Sequence, residues 1–101
     1  MVQKIKVSDA VLGYMEEMVT LTRKEERFLL GASPRALLAF VRAAQAKAFL
    51  EGRDFVKPDD VKAMAEPVLK HRITLTSQAK IQKEDVGNIL KSLILKAKVP
   101  V

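Results

Sequence analysis

One long helix with both ends marked constrains the fold of this chain more than any other segment. Ser33 is a favourable N-cap, Pro34 suits the first helical position, and Gly52 is typical of the residue that follows a helix. Between these markers, alanine and leucine leave the helix apolar around most of its circumference. Such a helix is stable when its neighbours cover it, so the sequence predicts a central helix over residues 34–51. Its predicted core positions are Leu37, Phe40, Val41, Ala44 and Ala48.

Three further helices are expected around the central one, because apolar residues recur at helical spacing in each. The first covers residues 8–23 with Ser8 as its N-cap, and the last covers residues 84–97. Another begins at Pro58, and Pro67 is expected either to bend it or to divide it in two. The first helix is expected to bury a face formed by Val11, Leu12, Met15, Met18, Val19 and Thr22, with Tyr14 mostly off that face.

Two short segments have the character of strands. Residues 53–56 are extended in pattern, and residues 71–75 alternate polar with apolar side chains. They are expected to pair with each other as a minimal ribbon. The predicted fold class is therefore all-α, a compact bundle of about four helices with a two-stranded ribbon at most. A length of 101 residues suits a single domain over residues 1–101.

The composition excludes several kinds of site. Cysteine is absent and there is a single histidine, so no metal site is expected. There is no GxxxxGK[ST] loop to hold nucleotide phosphates. Asp59 and Asp60 point about 100° apart on a helix, so they are expected to be solvated or capping rather than an acid–base pair. No apolar run reaches the ~18 residues of a membrane span and no signal-peptide pattern is present, which favours a cytoplasmic domain.

The net charge of +6 makes anionic partners plausible. Both signs of charge are interspersed along the chain, which is typical of a solvated surface, so nucleic acid is not the favoured partner. A short helix, a long helix and a short helix are nevertheless compatible with a stand-alone histone-like DNA-binding protein, which stays the alternative function. A purely structural helical interaction module is the third interpretation.

Arg35 occupies the second position of the central helix, where the helix dipole disfavours a cation by ~0.3–1 kcal/mol. Free backbone N–H groups at a helix start and a forked guanidinium together would suit a phosphate. Arg42 and Gln45 continue a polar line along the same side of the helix. The alternative is a surface ion pair between Arg35 and a carboxylate, either Glu25, Glu26 or Asp60.

The chain resembles the C-terminal lid domain of MoxR-type AAA+ ATPases over nearly its whole length. The most specific part lies in residues 29–73 and contains GASPRA, then EGRDFVKPDDV, then HRI. The segment VSDAVLGYMEEMVTLTR, residues 7–23, fits the first helix of that lid. The segment LTSQAKIQKEDVGNIL, residues 75–90, fits its last portion.

The resemblance implies a role for each residue of the GASPR motif. They would form the second sensor motif and contact ATP, with Arg35 as the catalytic residue that reaches the terminal phosphates. The contacting residues are then Gly31, Ala32, Ser33, Pro34 and Arg35. Arg23, at the end of the first helix, also matches an arginine of the family pattern and would have a supporting or interface role.

The resemblance also implies partners that lie outside this sequence. Mg²⁺ and most of the ATP site would belong to an N-terminal α/β ATPase domain of the same protein, so this lid alone is expected not to hydrolyse ATP. Further partners would be the neighbouring subunits of a hexameric ring and protein substrates that the ring remodels in a chaperone-like way.

Overall fold

The computed structural model describes residues 4–100, so both ends of the predicted domain, residues 1–3 and 101, lie outside the described part. The all-α class is confirmed, with five helices and a two-stranded antiparallel sheet over the described residues. A 3₁₀ turn over Lys70–Arg72 follows the third helix. The elements in order are α1 (Asp9–Lys24), β1 (Phe28–Leu30), α2 (Pro34–Leu50), α3 (Pro58–Leu69), β2 (Thr74–Leu75), α4 (Ser77–Ile81) and α5 (Val86–Lys96).

Helix α2 is the centre of the described fold, as predicted. It makes its most extensive contact with α3 and also packs against α1. Its fully buried positions are small residues around one aromatic ring, and small side chains let neighbouring helices approach closely. Burial of the Phe40 ring contributes about 1.5–3 kcal/mol to this core. The buried positions of α2 are Ala36, Phe40, Ala44 and Ala48.

The helices begin at the residues whose side chains can cap them. The Ser8 hydroxyl accepts a hydrogen bond from the Val11 N–H, and the Ser33 hydroxyl accepts one from the Ala36 N–H. Helix α2 ends at Leu50, and Gly52 has a φ of 78°, a conformation that glycine adopts without strain. These local signals explain why the bounds of α1 and α2 match the prediction within one residue.

The predicted ribbon is wrong in its pairing. Strand β2 pairs with β1 rather than with residues 53–56. The segment 71–75 also contributes only two residues to the strand, because the chain between 70 and 72 forms the 3₁₀ turn. The register of the antiparallel pair is Phe28 opposite Leu75 and Leu30 opposite Thr74.

Residues 53–56 pair instead with the N-terminal segment. The Lys6 N–H donates to the Asp54 carbonyl at 2.8 Å, and the Val56 N–H donates to the Lys6 carbonyl at 2.9 Å. This contact forms an isolated parallel bridge between Lys6 and Phe55. The segment before α1 is therefore attached beside the C-terminal end of α2.

Three details of the helices differ from the prediction. Tyr14 is buried, because the face of α1 that packs on its neighbours extends to the side near Asp59 at the start of α3; burial raises the pKa of the Tyr14 phenol. Helix α4 was not expected, since it has only five residues, capped by Thr76. Pro67 does not divide α3, which runs as one helix from Pro58 to Leu69, because the proline lies in the last turn, two residues before Leu69.

Asp60 is buried, although a solvated or capping role was expected. The capping part is confirmed: its carboxylate accepts a hydrogen bond from the Lys57 N–H at 2.8 Å. The same carboxylate pairs with the Arg53 guanidinium and lies 3.6 Å from Lys47 Nζ. Arg53 also pairs with Glu51 at 2.7 Å. These contacts around the buried Asp60 carboxylate join the end of α2 to the start of α3.

Candidate functional site

The GASPR motif comprises the loop between β1 and α2, residues 31–33, and the first two residues of α2, and the last turn of α1 holds this GASPR loop in place. Ala32 is fully buried. Its N–H donates to Thr22 Oγ1 at 3.0 Å, and its carbonyl accepts a hydrogen bond from Arg23 Nε at 3.0 Å. Both backbone polar groups of Ala32 are therefore bonded to α1.

Gly31 packs directly against the backbone of α1. A Cβ atom added at Gly31 would lie 2.6 Å from the Thr22 carbonyl oxygen and 2.7 Å from the Arg23 Cα. Real Cβ atoms do not come so close to backbone atoms, so a larger residue would push the loop away from the helix. Glycine is thus required here for close approach.

Replacing Gly31 by alanine is expected to destabilise the domain by about 1–3 kcal/mol, since the loop or α1 must move to admit the methyl group. Urea unfolding of the chain measures the change. Gly13→Ala is the matched control: Gly13 is exposed on α1 with no atom within 4 Å of an added Cβ, so alanine should stabilise by about 0.5–1 kcal/mol. Equal effects of the two substitutions would contradict the close packing at Gly31.

The connector between α1 and β1, residues 25–27, is also held by hydrogen bonds. Arg27 donates from Nε and Nη2 to the Glu25 carboxylate, each at 3.0 Å. This hydrogen-bonded pair holds the pKa of Glu25 below its usual value. The Arg27 carbonyl accepts a hydrogen bond from the Thr76 N–H at 2.9 Å, which ties the connector to the start of α4. Strand β1 and the GASPR loop are therefore supported from both sides.

Arg35 lies exposed in the first turn of α2, as its sequence position predicts. Its guanidinium makes no hydrogen bond and no ion pair with any residue between 4 and 100. Two of the three carboxylates considered as its partners are engaged elsewhere: Glu25 pairs with Arg27, and Asp60 pairs with Arg53.

The backbone at the start of α2 offers fewer free donors than expected. The Ala36 N–H is bonded to the Ser33 hydroxyl and carbonyl, at 3.3 and 2.9 Å, and the Leu37 N–H is bonded to the Ser33 carbonyl at 3.2 Å. Pro34 has no N–H. Within the first turn of α2, the Arg35 N–H and its guanidinium are the donors for which the described part of the chain shows no partner.

The predicted polar line along α2 divides into two parts. Gln45 Nε2 donates to the Ile5 carbonyl at 2.8 Å, so this side chain fixes the N-terminal segment. Arg42 is exposed. Leu38, which lies between the two arginines on α2, is about half exposed, and Leu29 and Leu30 before the loop are also exposed. Arg35 therefore lies one helical turn from an uncovered apolar side chain.

Sequence reasoning missed the role of Thr22 in this loop. Thr22 was expected only as a member of the apolar face of α1. The signal that could have identified it is a hydroxyl residue in an otherwise apolar stripe, one residue before Arg23. A buried hydroxyl needs partners, and here one partner is Ala32.

Between residues 4 and 100, no cluster of three or more His, Asp or Glu side chains could hold a metal ion. None of the helices in this part of the chain combines the length and apolar character needed to cross a bilayer.

The sequence is similar to proteins of one family. A profile of the AAA lid domain family matches residues 20–93. The chain is 38% identical over 100 residues to the uncharacterised protein YeaC of Bacillus subtilis, and the matched region covers 99% of this chain and 31% of YeaC. It is 39% identical over 82 residues to the chaperone MoxR1 of Mycobacterium tuberculosis, and the matched region covers 72% of this chain and 22% of MoxR1.

The fold is similar to a solved structure as well. A crystal structure of a candidate ATPase from Cytophaga hutchinsonii matches with a TM-score of 0.90 and 30% identity, covering 99% of this chain and 33% of that one. The chain thus spans about a third or less of the length of these relatives. The histone-like alternative gains no support from them. Because the family profile covers most of the chain and the structural match covers nearly all of it, the chain belongs to the AAA lid domain family and is a lid of the MoxR-type AAA+ ATPases.

Proposed function

We propose that this lid completes the ATP site of its parent enzyme through Arg35. The observation that carries the proposal is the exposed Arg35 guanidinium, which has no partner within residues 4–100 and lies in the first turn of α2, directly after a loop bonded to α1. A cation at a helix start is unfavourable by itself, so its presence there makes physical sense if an anion from outside the lid meets it.

The residues of the lid fit one contact to a phosphate rather than a whole nucleotide site. A guanidinium can donate two parallel hydrogen bonds to phosphate oxygens, and the Arg35 N–H is available beside it. Two of the backbone N–H groups near the motif, those of Ala32 and Ala36, are already bonded within the described residues, which reduces what the loop itself can offer a phosphate. ATP bound on an α/β domain with its Mg²⁺ would supply the terminal phosphate, and Arg35 would stabilise the charge on it.

The coupling to movement follows from how the lid is built. Arg35 is attached to α1 through the Ala32 bonds and to α3 through the central packing of α2. A contact that exists only while the terminal phosphate is present would therefore bias the position of the whole lid. In the parent enzyme this bias would drive chaperone-like remodelling of partner proteins by a hexameric ring in the cytoplasm.

The proposal is tested first by the gene that contains this sequence and by the activity of its product. We expect a GxxxxGK[ST] motif roughly 150–250 residues before Gly31 and ATP hydrolysis by the purified full-length protein. A gene without such a motif, and a product without ATPase activity, would contradict the proposal. A gel shift of random duplex DNA by the chain at physiological ionic strength would instead favour the histone-like alternative.

A further inference from the structure

Between residues 4 and 100, the side-chain hydrogen bonds that reach the GASPR loop from outside α2 all come from the last turn of α1. We propose that Thr22 and Arg23 are positioning residues for ATP hydrolysis, which fix the loop so that Arg35 meets the terminal phosphate in one geometry. This inference rests on the proposed sensor role of Arg35 and adds to it the two residues that set the position of that side chain.

Thr22 is suited to this role because both functions of its hydroxyl are used. The side chain is almost fully buried, with 1% of the residue exposed. Its hydroxyl donates to the Val19 carbonyl at 2.6 Å and accepts the Ala32 N–H at 3.0 Å. The bond to α1 fixes the direction of the hydroxyl, and the hydroxyl in turn fixes the Ala32 backbone.

Arg23 holds the other side of the same peptide. Its Nε donates to the Ala32 carbonyl at 3.0 Å, while the residue as a whole is exposed at the end of α1. An exposed side chain contributes little to the core, so its bond to the loop is the contact that the structure assigns to it. Lys24, the next residue, is also an exposed cation but makes no hydrogen bond to the described part of the loop.

The residues around Ala32 that lead to Arg35 have little conformational freedom. Gly31 lies against the α1 backbone, Ser33 caps α2, and Pro34 has a restricted φ. A displacement of Ala32 would therefore be carried to the start of α2. Misplacing a catalytic group by about 1 Å can lower a rate by roughly 10²-fold, so a loosened loop should reduce turnover even when the lid remains folded.

The experiment uses the full-length parent ATPase and measures kcat and KM for ATP. Thr22→Val, which keeps the shape but removes the hydroxyl, and Arg23→Met are each expected to lower kcat about 10- to 100-fold. The KM for ATP should change by less than about threefold, since the lost interaction concerns the transition state. Thr22→Ser, which retains the hydroxyl, should restore at least half of the rate, and Lys24→Met is the matched control that should leave kcat unchanged.

A double-mutant cycle separates positioning from a general effect on folding. In the Arg35→Ala background, Thr22→Val should cause no further loss of kcat, because the group that Thr22 positions is already absent. A full additional loss in that background would show that Thr22 acts through the fold and would overturn the inference. Unchanged kcat in both Thr22→Val and Arg23→Met, with Arg35→Ala inactive, would overturn it while leaving the sensor role intact. Unchanged turnover in Arg35→Ala itself would remove the sensor role and the inference with it.

Discussion

Arg35→Ala in the full-length ATPase is expected to reduce ATP turnover by on the order of 10³-fold, the lower end of the range for arginines placed on a transferring phosphoryl group. The lid should remain folded, because Arg35 is exposed and has no bond to another residue between 4 and 100. Removing a cation from the first turn of a helix should even stabilise the chain slightly, by up to about 1 kcal/mol. Phosphate release and thermal unfolding measure the two effects.

Two variants control for the charge and for the hydrogen-bond geometry. Arg42→Ala removes another exposed cation from the same helix and should leave turnover within about twofold of the original, since exposed charges far from the phosphate are screened. Arg35→Lys keeps the charge but loses the paired donors of the planar guanidinium, so it should retain only part of the original ATP turnover. If Arg35→Ala and Arg42→Ala reduce turnover equally, the effect comes from general electrostatic attraction, and the specific role of Arg35 is wrong.

Asp60→Ala is expected to have the largest effect on stability, a loss of about 3–5 kcal/mol, because it breaks a buried ion pair by removing one partner. The Asp60 side chain is 2% exposed, and the Arg53 side chain that it pairs with is 16% exposed. Arg53 Nε is also buried without a hydrogen-bond partner among the described residues. After the substitution, Arg53 would keep only its contact with the exposed Glu51. Urea unfolding of the chain measures the loss.

The neighbouring residue provides the control for Asp60. Asp59 lies in the same first turn of α3 but is exposed, so Asp59→Ala should change the free energy of unfolding by no more than about 0.5 kcal/mol. The double substitution Asp60→Leu with Arg53→Met should recover part of the stability, since an apolar pair leaves no buried charge unpaired. A loss below 1 kcal/mol for Asp60→Ala would mean that water reaches this network.

The parts of the fold that depend on local chemistry were predictable. Ser33, Pro34 and Gly52 act on the residues next to them, so the bounds of α2 could be found from the sequence. The exposure of Arg35 followed from its place in the first turn of that helix. Five-residue α4 lay below the length at which apolar spacing can be recognised, although Thr76 is a good cap for it.

The parts that depend on distant contacts were not predictable. The partner of β2 is set by how α1 and β1 fold back beside it. The sequence alone therefore could not exclude residues 53–56 as the strand that pairs with β2. The burial of Asp60 depends on the packing of α3 against α2, and the bonds of Thr22 depend on the close approach of Gly31. The candidate site was therefore predictable as a helix start with an arginine, but its support from α1 was not.

The N-terminal segment is attached near the C-terminal end of α2, whereas Arg35 lies at the opposite end of the same helix. Gln45 holds the Ile5 carbonyl, and ten residues of helix separate Gln45 from Arg35, a distance of about 15 Å. A rotation of the domain by roughly 10° about that attachment would carry the Arg35 end through about 3 Å, which is the length of a hydrogen bond. If Arg35 binds a terminal phosphate as proposed, a tilt of this size would be enough to make or break that contact.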